Sequence, residues 1–166
     1  MVATVIVNEK NGAGETATDK TSGVVRYKNA DDANVDANDP MVVPGAGSDF
    51  SFDKWLRLNI SVAPDTQIEN LKAYTDGANG FGTGVLAWYK TIGTFSTPSA
   101  PANATGYTDI FTKTSGSPID MDAINTGPFS STGDIGDYLI TMLEVASTAT
   151  QGALTGETLT FSYDES

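Results

Sequence analysis

Residues 49–85 read DFSFDKWLRLNISVAPDTQIENLKAYTDGANGFGTGV, the densest strand signal in the chain followed by its densest turn signal. Leu56, Leu58, Ile60 and Val62 alternate with Arg57, Asn59 and Ser61. Strand side chains repeat every two residues, so the four aliphatics share one face and the polar set takes the other. A helix would scatter them round its circumference. Phe50, Phe52 and Lys54 fall on the aliphatic parity and extend that face backwards. Pro64 stops the pairing, because proline has no N–H for a ladder. Residues 51–63 therefore read as a strand, bent near Asp53, with Trp55 as a rim aromatic. The run DGANGFGTG at 76–84 has glycines in a spacing that a phosphate loop would not use, and neither a following lysine nor a helical pattern. It reads as tight turns between strands, with Phe81 folding back onto the core.

Seven further strands follow from β-branched and aromatic runs bounded by turn residues: 3–7, 24–28, 70–75, 85–91, 107–114, 138–146 and 157–164. In the last, Leu159, Phe161 and Tyr163 face inward. Long loops separate the strands. Residues 8–22 contain no apolar side chain larger than alanine and read as a loop or mobile arm. Met41, Val42 and Val43, between two prolines, read as a segment pinning the 29–47 loop to the core. About eight strands and no helix in 166 residues specify an all-β chain: one antiparallel β-sandwich domain, jelly-roll or Ig-like, with long loops.

Composition restricts chemistry. Nine basic against 21 acidic residues give a net charge of −12, and after Lys113 there is no Lys or Arg. No cationic stripe for nucleic acid or anionic membrane is expected. There is no cysteine and no histidine, which removes disulfides, thiol catalysis, the Ser-His-Asp arrangement and the commonest transition-metal ligand. The remaining catalytic option is a carboxylate pair, and most acids lie beside Gly, Asn or Ser, where turn-making accounts for them. The expectation is not an enzyme. The first ten residues read as a strand rather than a leader, and no apolar run spans a bilayer, so synthesis in a cytoplasm is expected.

Two groups are candidate sites. Asp32, Asn34, Asp36 and Asn38 alternate as in a calcium loop. An EF-hand counted from Asp32 requires Gly at its sixth position and Glu at its twelfth, where Ala37 and Val43 stand. The series therefore reads as an acidic turn bonding its own backbone, and it supplies the chain's calcium candidates; no other cofactor is expected. Trp55, Trp88 and Tyr89 are the interface candidates, because apolar residues on both faces of 85–91 cannot all enter one core.

The segments WLRLNISV (55–62), APDTQIENLKAYTDGANGFGTGV (63–85) and LTGETLTFSYDES (154–166) resemble a family of tailed-bacteriophage and prophage virion structural proteins, over most of the chain beyond about residue 20. The resemblance implies a capsid decoration protein on the virion surface, made in the host cytoplasm. Its partner would be the major capsid protein, and it would assemble as a homo-oligomer, a trimer being favoured. The alternative is a phage tail or fibre component, or a carbohydrate-binding β-sandwich.

Overall fold

The computed structural model describes residues 2–166. Ten strands run in chain order: β1 Thr4–Asn11, β2 Thr16–Asp19, β3 Ser48–Phe50, β4 Lys54–Val62, β5 Ile68–Tyr74, β6 Val85–Ile92, β7 Thr108–Asp109, β8 Ile119–Asp120, β9 Gly133–Ala146 and β10 Thr160–Glu165. Seven form one antiparallel sheet in the order β2-β1-β4-β9-β6-β7, with β3 also paired to β9. The other three form a smaller sheet, β10-β5-β8. The two sheets enclose a common core, the β-sandwich expected from the alternating pattern.

Strand β4 sits centrally between β1 and β9. Its aliphatic parity, with Leu56, Leu58 and Ile60 each 2% exposed or less, packs against Ile68, Leu71 and Ala73 of the small sheet. The chain does bend near Asp53. β3 pairs with the end of β9 and β4 with its beginning. Between them Ser51 keeps the ladder going, its N–H donating to Leu143 and its hydroxyl accepting from the Leu143 N–H. The bulge in β9 needs Gly136. Its φ is +64°, and a Cβ there would lie 2.4 Å from the Met121 carbonyl oxygen.

β9 is apolar on both faces because both are covered. Leu139 and Leu143 join the main core. Tyr138 and Ile140 face the other way and form a second cluster with Trp55, closed by Phe95 and Tyr107 from the 93–107 loop. A strand covered on both sides loses its polar alternation.

Three segments depart from the sequence reading. Residues 8–22 are not an arm: β1 runs on to Asn11 and turns back as β2, pairing Asn11 with Thr16 and Asn8 with Asp19. Residues 24–28 belong to no strand; they form a strap docked by the Val25 and Tyr27 side chains on the main core and by the Phe52 N–H on the Lys28 carbonyl. Residues 107–114 contain a two-residue strand, then a 3₁₀ turn at Ile110–Thr112 whose Phe111 N–H is capped by the Asp109 carboxylate. The inward face of β10 and the capping role of Phe81 are as expected: Leu159, Phe161, Tyr163 and Phe81 all pack on the core, and Phe81 meets Phe111 edge-on at 5.9 Å.

Candidate functional site

The calcium candidates are organised round a lysine. The strap is part of the long connection 20–47 between β2 and β3, and Lys28, with no exposed side chain, projects from it between two carboxylates. Its Nζ lies 2.7 Å from Asp32 Oδ2 and 2.6 Å from Asp36 Oδ1. Both acids also make Asx turns: Asn34 N–H donates to Asp32 Oδ1 and Asn38 N–H to Asp36 Oδ1. Hydrogen bonds from Lys28 hold both carboxyls below the usual range, and the same bonds, Asp32 first, raise the Lys28 ammonium. The ammonium thus occupies the place a cation would take, and Asn34 and Asn38 contribute backbone rather than ligands. Among the described residues no group of three or more acidic side chains is gathered for a metal.

Beneath the strap lies a second charged group that the sequence reading missed. Glu9 and Lys54, both fully buried, face inward from β1 and β4, with Lys54 Nζ 3.1 Å from Glu9 Oε1. Lys20 Nζ approaches Glu9 Oε2 at 3.5 Å. Lys54 also donates to the Asp32 carbonyl at 2.6 Å, joining the two groups. Tyr27 closes the cluster by donating to Thr141 Oγ1 at 2.9 Å. Burial, opposed by the Thr141 bond and reinforced by Glu9, pushes the Tyr27 hydroxyl up to about 12. The available signal was parity: Lys54 shares the face of Leu56 and Leu58, which places an ammonium indoors and demands a buried partner.

The three aromatic candidates separate. Trp55 is 4% exposed and stacks edge-on against Phe95 at 5.1 Å and Tyr138 at 5.5 Å. It is a core residue, not a rim or interface aromatic, because the 93–107 loop folds over its face. Tyr89 turns inward and packs on the main core. Trp88 alone points outward, half-buried, its indole N–H donating to Glu144 at 2.9 Å. With Leu86 (39% exposed) and Ile92 (37% exposed) it forms a mostly apolar stripe on the outer face of β6, crossed by Lys90.

At the Val85 end of that strand is a groove of about 300 Å³, lined by Met41, Val42, Val43, Val85, Val145 and Leu154 among others. Val42 and Leu154 are exposed at its rim. The 41–43 segment therefore does meet the core end, leaving an apolar trough rather than a closed seam. Sequence reasoning did not single out Leu86, Ile92 or Leu154, since an exposed aliphatic in a strand or loop carries no local signature.

The other buried acids are committed to the fold. Asp137 receives the N–H groups of Ile124 and Asn125 at 3.0 and 2.7 Å. Asp53 accepts from the Tyr107 hydroxyl at 2.7 Å; burial raises both groups. On the small sheet Asp120 and Asp122 share Lys72; burial and the neighbouring Asp120 raise Asp122, while Asp120 is lowered by its hydrogen bonds from Asp122 and Lys72. Among the described residues no helix is long and apolar enough to cross a membrane.

No family model, curated protein or solved structure matches this chain. The arrangement defines an antiparallel β-sandwich whose internal charges serve packing and which exposes Leu86 and Ile92 on β6 and Val42 and Leu154 at the adjacent groove, with other exposed aliphatics such as Val2, Val24 and Ile124 elsewhere.

Proposed function

We propose that this chain is a non-enzymatic virion structural protein that decorates the outer surface of a phage head and stabilises it by binding the major capsid protein. The sequence resemblance suggests that context. One structural observation supports a docking role within it: most of the scarce cations are buried, paired or laid over rings, with Arg26 left exposed. Lys28 and Lys54 are wholly buried, Lys10 nearly so, and Lys20 and Lys72 are held in ion pairs. Arg57 and Lys90 lie over the rings of Tyr138 and Tyr107. What faces outward is dominated by carboxylates, interrupted by the β6 stripe and the Met41–Leu154 groove. An acidic surface carrying a limited apolar patch fits a partner with basic contacts round an apolar projection. Homo-oligomeric assembly, a trimer being favoured, belongs to the same proposal, as does residence on the virion.

A glycan-binding module would need a platform of exposed rings. With Trp55 and Tyr89 turned into cores, the proposed platform falls to Trp88 alone, so decoration is the stronger reading.

The test is co-sedimentation of recombinant protein with heads of the encoding phage that lack it, at rising salt, followed by electron cryomicroscopy of the decorated particle. Saturable binding that weakens with salt, and density on the outer head lattice, are expected. Failure to bind heads, or density confined to the tail, would overturn the proposal.

A further inference from the structure

Glu9 does more than neutralise Lys54. The register of β1 against β4 ends at Lys10 opposite Trp55. The next residues on the two strands are Asn11 and Lys54. Asn11 Nδ2 approaches Glu9 Oε1 at 3.4 Å, and Lys54 Nζ approaches the same oxygen at 3.1 Å. An amine, a carboxamide and a carboxylate thus meet at one atom, under the strap. Two oxygens of the group are buried without a hydrogen bond among the described residues: Asn11 Oδ1, and Glu9 Oε2, which Lys20 Nζ approaches only at 3.5 Å. Buried polar atoms are rarely left so.

We propose that Lys54 and Asn11 are joined by an intramolecular amide bond whose formation Glu9 promotes. Glu9 first takes a proton from the Lys54 ammonium, making two buried groups neutral while the Lys20 ammonium, 3.5 Å from Glu9 Oε2, keeps its charge. The free amine attacks Asn11 Cγ, and a new Nζ–Cγ bond forms. Glu9 hands its proton to the departing nitrogen and takes up the one that Nζ sheds. The Cγ–Nδ2 bond breaks and the nitrogen leaves as ammonia. Glu9 ends as a carboxylate once that ammonia carries off the remaining proton as ammonium, so the step needs no oxidant, cofactor or other reactant. Amines do not ordinarily displace amides in water; holding both on one carboxylate supplies an effective concentration on the order of 10⁵ M or more in well-oriented cases, and the dry site gives Glu9 the acid–base role.

Asp31 makes the arrangement selective. Its Oδ1 accepts from Asn11 Nδ2 at 2.9 Å and its Oδ2 from the Gly12 N–H at 2.7 Å. An Asn-Gly pair ordinarily loses ammonia by attack of the glycine nitrogen on the side chain. Here that N–H is engaged, which leaves Lys54 as the nucleophile. The bond would tie the first strand to the central one in a protein with no cysteine for a disulfide. The inference is independent of the decoration proposal.

Intact-mass and peptide mass spectrometry of the full chain test it. The purified protein is expected to be lighter than its sequence by one ammonia, with trypsin failing to cut after Lys54 and the Asn11 and Lys54 peptides recovered as one branched species. Glu9→Gln, checked for folding by circular dichroism, is expected to keep the full mass, as is Lys54→Arg. A wild-type chain at full mass after prolonged incubation in the folded state would overturn the proposal. So would ammonia loss that persists in Lys54→Arg, which marks a backbone imide at Asn11–Gly12. Loss of water instead of ammonia would point to Lys54 acylated by Glu9 and overturn the assignment to Asn11. Crosslinking undiminished in a folded Glu9→Gln would remove Glu9 from the chemistry.

Discussion

The Lys28 ammonium lies 2.6 Å from the Asp36 carboxylate, and none of the lysine side chain reaches solvent. That contact, doubled by Asp32, is the clasp of the strap. Removing the lysine leaves two carboxylates facing each other across a site built for a cation. Lys28→Met should therefore loosen residues 20–47, with faster limited proteolysis there and little change elsewhere. The same variant should gain a measurable stabilisation from millimolar calcium that the wild-type chain lacks, because the Asp pair then needs a counter-charge. Thermal melts with calcium and with chelator check both parts; equal calcium response in the two proteins would contradict the account.

The clasp also sets an acid limit. Asp32 and Asp36 titrate below their ordinary value of 3.8 in the folded chain. A lowered folded value means stabilisation that is complete above the unfolded value and disappears as pH falls through the lowered one. Asp53, raised by burial, acts in the opposite direction, since its protonation favours the folded state. The melting temperature should therefore drop below about pH 4, and Lys28→Met should flatten that limb. At the alkaline end Tyr27, moved from 10.0 to about 12, contributes stability that is fully present below 10 and lost as pH rises towards 12. Tyr27→Phe should melt less steeply over that interval.

Trp55 and Trp88 should behave as opposites. Trp55 closes the outer cluster, so Trp55→Ala should cost about 3–5 kcal/mol of stability. Trp88 rests half-buried on the sheet, and Trp88→Ala should cost less while disturbing its Glu144 bond. Fluorescence separates them directly: with Trp88 replaced by Phe, emission should be blue and resistant to iodide quenching. With Trp55 replaced by Phe, it should be redder and quenchable.

These contrasts show which parts of the structure were legible in the chain. The alternation in β4 was decisive because one of its faces meets the small sheet along its length. Trp55 sits on the polar parity of that strand, and its burial depends on Phe95 and Tyr107, roughly 40 and 50 residues later; no local pattern carries such a cover. Residues 8–22 were unreadable for a different reason. β1 past Val7 and β2 carry no apolar side chain larger than Ala17, and they are held by ladder bonds and by pairs such as Lys10–Asp134 at 2.6 Å rather than by apolar periodicity. Residues 24–28 have strand composition, yet their side chains, Tyr27 above all, do the docking. The calcium spacing was visible, but its occupant came from Lys28, just before the first aspartate. The Glu9–Lys54–Asn11 group spans two strands far apart in sequence and became visible only with their register.

The bulge in β9 offers a strict backbone test. Gly136 has a positive φ and no room for a methyl group: an added Cβ would stand within 2.6 Å of both the Met121 carbonyl oxygen and the Leu71 side chain. Gly136→Ala should cost about 2 kcal/mol or more, combining overpacking with left-handed strain. Gly14, whose added Cβ would meet nothing within 4 Å, should accept the same change with little effect. Urea unfolding of the two variants checks the difference, and similar midpoints would contradict the packing described.

The proposed docking surface should be separable from the fold. Leu86 and Leu154 are 39% and 40% exposed, one on the β6 stripe and the other on the groove rim, so Leu86→Glu and Leu154→Glu remove little buried area. Leu154→Glu should shift stability by no more than about 0.5 kcal/mol, the usual range for surface changes, and Leu86→Glu by somewhat more, because it faces Glu144 across the β6–β9 pair. If the patch meets the head, both should weaken head binding at least tenfold, since a carboxylate placed in an apolar contact loses its water without gaining a partner. Added acid would strengthen a purely charge-driven attachment to a basic lattice. Co-sedimentation at fixed salt therefore distinguishes the two attachments: weaker binding by both variants marks the apolar patch as the contact, and unchanged or tighter binding moves the contact to the acidic surface elsewhere.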